Sequence, residues 1–276
     1  MSGYALTDWP ASVYSAVAAG ERPTVLGSEQ LAVEEPLEVR LHTPSGPVTL
    51  GVLMRTPGAD AELVRGWLLA EGLWTTGLPQ KGLQLAPDPE NPNVMHLHTP
   101  EFQRLAAGAR QGVSSSACGV CGTGSIERLA VRAALPTWTG GSLSAAFLAG
   151  LPGLLQAHQP GFAASGGLHA AGLFGLDGEC LCAYEDVGRH NATDKVLGWA
   201  LQRGLLPLSG TILVVSSRAG FEIVQKAVTG GVAVVVTVGA ATSLAAETAA
   251  TFGVTLCGWA RADRLTVYSG AERVRS

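Results

Sequence analysis

Two thiols three positions apart, in Ser114-Ser115-Ser116-Ala117-Cys118-Gly119-Val120-Cys121-Gly122-Thr123-Gly124, are the sharpest chemical feature of the sequence. A thiolate is both a nucleophile and a metal ligand, and the flanking glycines let the segment swing between sites. Such a C-x-x-C pair serves metal binding or redox and sulfur chemistry, and it is as often incidental. Zinc would need further ligands, for which the chain offers Cys180-x-Cys182, Cys257 and scattered histidines. Cys180 and Cys182 are expected to share one face of a strand and to pack as small hydrophobes. A thioredoxin-like pair opens a helix directly after a strand, whereas a serine run precedes this one.

A second constellation spans Gly166-Gly167-Leu168-His169-Ala170-Ala171-Gly172 and the run from Glu185 and Asp186 through Arg189, His190 and Asn191 to Asp194 and Lys195. The latter closes a strand and opens a helix, where free backbone N–H groups and the positive dipole end favour an anion. His190 and Asp194 lie one turn apart on one face, as do Asn191 and Lys195. Each alone reads equally well as a cap or a surface ion pair. Their density marks a site, because only 14% of the chain is charged. Two more strand-to-helix turns, Ser216-Ser217-Arg218-Ala219-Gly220 and Gly239-Ala240-Ala241-Thr242-Ser243, belong at the same sheet end and suit phosphate. Neither is a Walker loop or a G-x-G-x-x-G fingerprint. Trp259-Ala260-Arg261-Ala262-Asp263-Arg264 sets two guanidinium groups beside an indole, a combination able to hold a purine and its phosphates. Surface salt bridging explains the same residues without a ligand.

The elements that must position these groups fall into two sets. After an unpatterned leader, Leu37 to His42 and Val48 to Met54 alternate as a hairpin about a Thr43-Pro44-Ser45-Gly46 turn. Asp60 is the expected N-cap of a helix carrying Leu63, Val64, Trp67 and Leu68 as far as Gly72, and Val94 to His98 is another strand. Residues 1–111 are thus the leader and a small α+β domain, 112–128 a mobile, solvent-accessible loop, and 129–276 a second domain. In it the strands His169 to Phe174, Cys180 to Tyr184, Thr211 to Val215, Val232 to Val238 and Val254 to Trp259 are interleaved with helices over 191–201, 223–228 and 244–252. This alternation predicts crossovers and a mostly parallel sheet covered on both faces.

Composition narrows the classes. At 276 residues, 47% hydrophobic, the chain can bury a core without disulfides or structural metal. A net charge of -4 with no basic block argues against a grip on nucleic acid. The longest strongly apolar run, Val232 to Ala241, is about half the roughly 20 residues a membrane helix needs. Residues 1–20 lack the basic and apolar regions of a secretory signal, and five cysteines do not form a spaced extracellular framework, so a cytoplasmic protein with reduced thiols is expected.

Arg55-Thr56-Pro57-Gly58, the Cys118 to Gly122 loop, Gly166 to Gly172, Asp186 to Lys195, Arg218 with Glu222 to Lys226, and Thr242-Ser243-Leu244 occur in the order seen in the FdhD family of formate dehydrogenase accessory proteins. The resemblance covers nearly the whole chain beyond the leader. It implies a homodimeric cytoplasmic sulfur carrier with a cytidine-deaminase-like three-layer α/β domain after a small N-terminal α+β domain. Such a sulfurtransferase takes persulfide sulfur from a cysteine desulfurase and delivers it to the molybdenum bis(guanine dinucleotide) cofactor of formate dehydrogenase. By position Cys118 resembles the persulfide-bearing cysteine and Cys121 its helper. Trp259, Ala260, Arg261, Ala262, Asp263 and Arg264 resemble part of the guanine-nucleotide contact, with Arg218, His169, His190, Asn191 and Lys195 as further cofactor contacts. GDP is the expected mimic of half that cofactor, and no resident metal is expected. The sequence departs from the family where a glycine is usual and Ser217 stands, and where Ser-Ala-Pro is usual and Gly239-Ala240-Ala241 stands.

Of two rival readings, the first fails on sequence alone. A zinc deaminase would share the suspected fold, but it needs H-x-E and P-C-x-x-C. No histidine here has Glu two residues on, and Ala117 stands where the proline would. A non-catalytic chaperone that binds zinc or the molybdenum cofactor is the second.

Overall fold

Leu37, Val39 and Leu41 are fully buried with Glu38, Arg40 and His42 between them, a period of two that makes β3 (Glu35–Thr43) a strand with one wet face. Before it, β1 (Leu6–Val13) and β2 (Val25–Ala32) pair antiparallel. That hairpin occupies what reads in the sequence as an unpatterned leader. None of its described side chains is buried, and Trp9 is 59% exposed, so no buried side imposes a period. The computed structural model describes residues 5–13, 25–75, 82–110, 138 and 140–276.

From β3 the chain turns at Pro44 and Ser45 into β4 (Gly46–Arg55). With β5 (Gln84–Pro87) and β6 (Val94–His98) these form a sheet in the order β4-β3-β6-β5, in which β3 and β6 are parallel. Helix α1 (Asp60–Ala70) follows β4, and α2 (Phe102–Arg110) packs beside β3 and β4. Asp60 does not cap α1. Ala59 holds the cap position with a left-handed φ of 53°, and both Asp60 oxygens accept from the fully buried Arg55 guanidinium at 3.1 Å. A bidentate charged partner wins over a backbone N–H.

The second layer system begins with β7 (Leu143–Ser144), α3 (Ala145–Gln156) and α4 (Pro160–Ser165). It continues through β8 (His169–Phe174), β9 (Cys180–Asp186), α5 (Arg189–Gln202), β10 (Ile212–Val215), α6 (Phe221–Thr229), β11 (Val234–Thr237), α7 (Ser243–Thr251), β12 (Thr255–Arg261), β13 (Arg264–Ser269) and β14 (Val274–Arg275). Six strands form one sheet in the order β13-β12-β11-β10-β8-β9, while β14 pairs with β7. Ile212, Val214, Val234 and Val236 face α3, and Leu213, Val215 and Val235 face the α5–α6–α7 side, which gives three layers.

The expected mostly parallel sheet is not what forms. Only β10, β11 and β12 are mutually parallel, whereas β8, β9 and β13 run antiparallel to their neighbours. The links 175–179 and 262–263 are too short for a crossover, which takes a dozen or so residues. Cys180 and Cys182 do not share a face either. A register shift in β9 sets Cys180 against Phe174 and Cys182 against Leu173, so the first packs toward α3 and the second toward α5.

One continuous core runs from Leu37, Leu53 and Trp67 through Val196 and Leu197 to Val235 and Leu256, joining the two sheets through α1 and α5. Each such side chain contributes about 1.5–3 kcal/mol by leaving water. Among the described residues no helix is long and apolar enough to cross a membrane.

Candidate functional site

The loops leaving β10, β11 and β12 are stapled to one another by Gly239. Its N–H donates to Ser217 O at 3.1 Å, and its carbonyl accepts from Trp259 N–H at 3.0 Å. A Cβ on Gly239 would lie 2.9 Å from Arg218 Cα, and one on Gly258 would lie 2.6 Å from Gly239 O, so close approach demands glycine at both positions. Ala219 N–H donates to Ala240 O, and Thr242 N–H donates to Ala219 O, each at 3.0 Å. Ser217 and residues 239–241, where the sequence is expected to depart from the pattern it resembles, are therefore adjacent. The Ser217 hydroxyl turns inward and donates to Arg218 O at 3.0 Å.

Trp259 sits at this edge with a φ of 50°, a conformation that costs a non-glycine residue of order 1–3 kcal/mol and is kept where surroundings impose it. Its half-buried ring lies 5.5 Å from the Arg261 guanidinium and 5.2 Å from that of Arg264. The pair is in register across the β12–β13 hairpin, with Ala262 and Asp263 at its exposed tip. Arg218 is exposed on the neighbouring loop.

Beside them a cleft of about 520 Å³ opens between α3 and the sheet end, lined by Gly166, Gly167, His169, Ser216, Ala260 and Arg261 among others. Its outer wall is α3, where Pro152 and Gly153 interrupt the helix surface, together with Gln156, Gln159 and Phe162. The Glu185 carboxylate anchors α4 by accepting from the N–H groups of Gly161 (2.9 Å) and Phe162 (2.7 Å). No sequence motif points to Gln156, Gln159 or Phe162, or to this role of Glu185. Leu148, Leu151 and Leu155 at helical spacing, and Pro160 opening α4, are the signals that could have found this wall.

Burial, then Arg189 and His190, push the His169 pKa down, which favours the neutral ring. His190 Nε2 meets Glu222 Oε2 at 2.5 Å and Lys226 Nζ meets Asp194 at 2.6 Å, so two pairs at matching turns tie α5 to α6. The His190 hydrogen bond holds the Glu222 carboxyl below the ordinary carboxylate range. What it contributes to stability is present above the ordinary pKa and is lost as pH falls through the lowered value.

Asn191 and Lys195 lie beneath the cleft, not on its wall. Lys195 Nζ is 2.8 Å from Asp186 Oδ2 and donates to Thr56 O and Glu185 O, while Asn191 Nδ2 donates to Asp186 Oδ1 and Met54 O. Both are at most 3% exposed. Lys195 borders a recess of about 160 Å³ next to Thr56 and Tyr184, and contact with a ligand in the main cleft would require opening this network. His169, Ala260 and Arg261 line the cleft, Trp259 and Arg264 adjoin it, and His190 stands on the α6 side.

Cys118 and Cys121 fall outside the described residues, and so does the expected mobility of their loop. The three described cysteines are free thiols. Burial pushes Cys182 and Cys257 up to about 12 and raises Cys180. Among the described residues no three His, Cys, Asp or Glu groups converge to hold a metal ion.

A three-layer fold with a cleft of mixed polar and apolar lining at its sheet end defines a class of α+β protein, and the comparisons give its family. Residues 32–275 match the FdhD/NarQ family, and the chain belongs to it. It is 43% identical over 253 residues to the sulfur carrier protein FdhD of Nocardia farcinica, covering 90% of this chain and 89% of that one. To the sulfur carrier protein FdhD of Corynebacterium efficiens it is 46% identical, covering 88% and 90%. The fold matches the crystal structure of a Desulfotalea psychrophila protein assigned as a formate dehydrogenase accessory protein, with a TM-score of 0.73, 20% identity and coverage of 98% and 99%.

Proposed function

We propose that this chain is a sulfur carrier that loads persulfide sulfur on Cys118 and delivers it to a molybdenum bis(guanine dinucleotide) substrate held at the sheet end, in support of formate dehydrogenase. The observation that carries this reading is the state of the other thiols. Sulfur transfer needs a thiolate, and burial raises Cys180, Cys182 and Cys257 away from that form, which favours Cys118 and Cys121 as the carrier pair. The Cys118 thiolate attacks the outer sulfur of a cysteine desulfurase persulfide, the donor S–S bond breaks, and the donor leaves as thiolate. The Cys121 thiolate then attacks the inner sulfur of Cys118–S–SH, forming the Cys118–Cys121 disulfide and releasing hydrosulfide to the acceptor. A thiol reductant restores the pair. The relatives named as sulfur carriers support the same reading.

Reduced protein incubated with a desulfurase and cysteine should gain sulfur at Cys118, read by intact mass and peptide mapping. Cys118→Ser should gain none in this segment, Cys121→Ser should load but deliver poorly, and Cys180→Ser, Cys182→Ser and Cys257→Ser should load normally. Stoichiometric zinc on Cys118 and Cys121, with no loading by any desulfurase, would overturn the assignment in favour of a metal-binding chaperone.

The acceptor side has its own test. An indole faced by two guanidinium groups, next to a cleft lined by His169, suits a purine nucleotide, and GDP should bind there. Removing a charge-assisted contact should weaken binding by about 1.5–3 kcal/mol. Calorimetry with the Trp259→Ala, Arg264→Ala double variant checks it, and GDP affinity equal to the parent's would rule out this placement.

A further inference from the structure

Three of the six histidines, scattered along the sequence, meet on the solvent face of the N-terminal sheet. β3 and β6 run parallel with Arg40 opposite His96 and Leu41 opposite Leu97, so His42, His96 and His98 share the face turned away from buried Leu41 and Leu97. His42 Nε2 lies 2.8 Å from His96 Nδ1, and the His42 and His98 rings stack with centroids 4.0 Å apart. On its far side His96 Nε2 lies 2.8 Å from Asp88 Oδ2. The other Asp88 oxygen accepts the N–H groups of Glu90 and Asn91, each at 2.9 Å, which fixes the carboxylate.

We propose that His42 Nε2 and His96 Nδ1 form a chelating site for a borderline divalent transition-metal ion of the Ni²⁺ or Cu²⁺ kind, distinct from the thiol loop and from the sheet-end cleft. An ionised Asp88 can only accept, so the His96 proton sits on Nε2 and the Nδ1 lone pair points at His42. In the metal-free chain His42 Nε2–H donates into that lone pair. Shifting the His42 proton to its own Nδ1 leaves two lone pairs facing each other, and each ring remains neutral with no proton released. Cis ligands at 2.0–2.1 Å from one ion lie roughly 2.9–3.4 Å apart, so the 2.8 Å separation must open slightly while the two rings tilt to turn their lone pairs from each other onto the ion. A carboxylate on the remote nitrogen of a ligating histidine is the usual support for such a ligand. With two imidazoles and the remaining positions filled by water, the site suits ions that accept tetragonal nitrogen and oxygen ligands. His98 acts as a positioning residue, holding the plane of His42 by stacking.

The test is calorimetric titration of Ni²⁺ into the full chain carrying Cys118→Ser and Cys121→Ser, so that the loop thiols do not compete. One saturable ion per chain is expected. His42→Ala and His96→Ala should each weaken binding roughly tenfold or more, and Asp88→Asn, which keeps both ligands, about tenfold. His158→Ala should leave affinity unchanged. Circular dichroism shows whether each variant remains folded, which is expected because these side chains lie on the wet face. Absence of saturable binding in the parent, or affinity unaltered in the His42→Ala, His96→Ala double variant, would overturn the site.

Discussion

A methyl group added at Gly66 or Gly198 is expected to destabilise the whole protein by about 3 kcal/mol or more, beyond what most single substitutions do. The two glycines mark the crossing of α1 and α5. A Cβ on Gly66 would stand 1.9 Å from Asp194 O, and one on Gly198 would stand 1.8 Å from Glu62 O. Both obstacles are main-chain atoms of the facing helix, so no rotamer change relieves them and the helices must part. Parting them opens the shared core, since Val64, Trp67 and Leu68 pack there with Val196, Leu197 and Leu201. Thermal unfolding should show Gly66→Ala and Gly198→Ala each lowering Tm by roughly 6–12 °C. Gly150→Ala in α3 is the control, because nothing lies within 4 Å of its added Cβ and helix propensity favours alanine there. Equal melting of Gly66→Ala and the parent would mean that α1 and α5 are not in this contact. The effect should reach the site, because α5 begins with Arg189 and His190 at the sheet end.

What the sequence makes legible is what short-range physics decides. The alternation of Leu37, Val39 and Leu41 and the turn at Thr43 to Gly46 define β3 and β4 from local residues alone. β8 runs from His169 to Phe174 as expected, and the Val-rich β10 and β11 can only be buried strands. Strand direction is less legible, because it depends on which neighbour a strand finds. Trp259 to Arg264 reads as a segment leaving the last strand, yet it carries β12 to Arg261 and returns as β13, and the bulge between Gly258 and Arg261 hides the alternation. The site loops are legible because glycine, serine and arginine mark them wherever they fold. The α3–α4 wall is less so, because Pro152 interrupts the helix whose Leu148, Leu151 and Leu155 spacing marks it. The His42, His96 and His98 cluster depends on a parallel pairing between strands more than fifty residues apart, and no local pattern encodes that pairing or the imidazole contact it creates.

Lys195→Met should cost about 3–5 kcal/mol, as expected when one member of a buried ion pair is removed and the other is left uncompensated. Asp186 is fully buried, and its carboxylate accepts from Lys195, Asn191 and the N–H groups of Thr56 and Gly188. Replacing both members of a buried pair by apolar residues is often neutral. Here it should not be, because Lys195→Met with Asp186→Leu would strand two main-chain N–H groups and one N–H of the Asn191 amide, whose other N–H stays on Met54 O. The double variant is therefore expected to be no more stable than Lys195→Met alone, a result that denaturant unfolding followed by circular dichroism can read directly. A double variant restored to parental stability would reduce this network to one ion pair. The distinction matters for the site, because Thr56 follows β4 whereas Gly188 and Asn191 open α5. The same carboxylate that neutralises Lys195 thus fixes where Arg189 and His190 stand relative to His169 and the cleft.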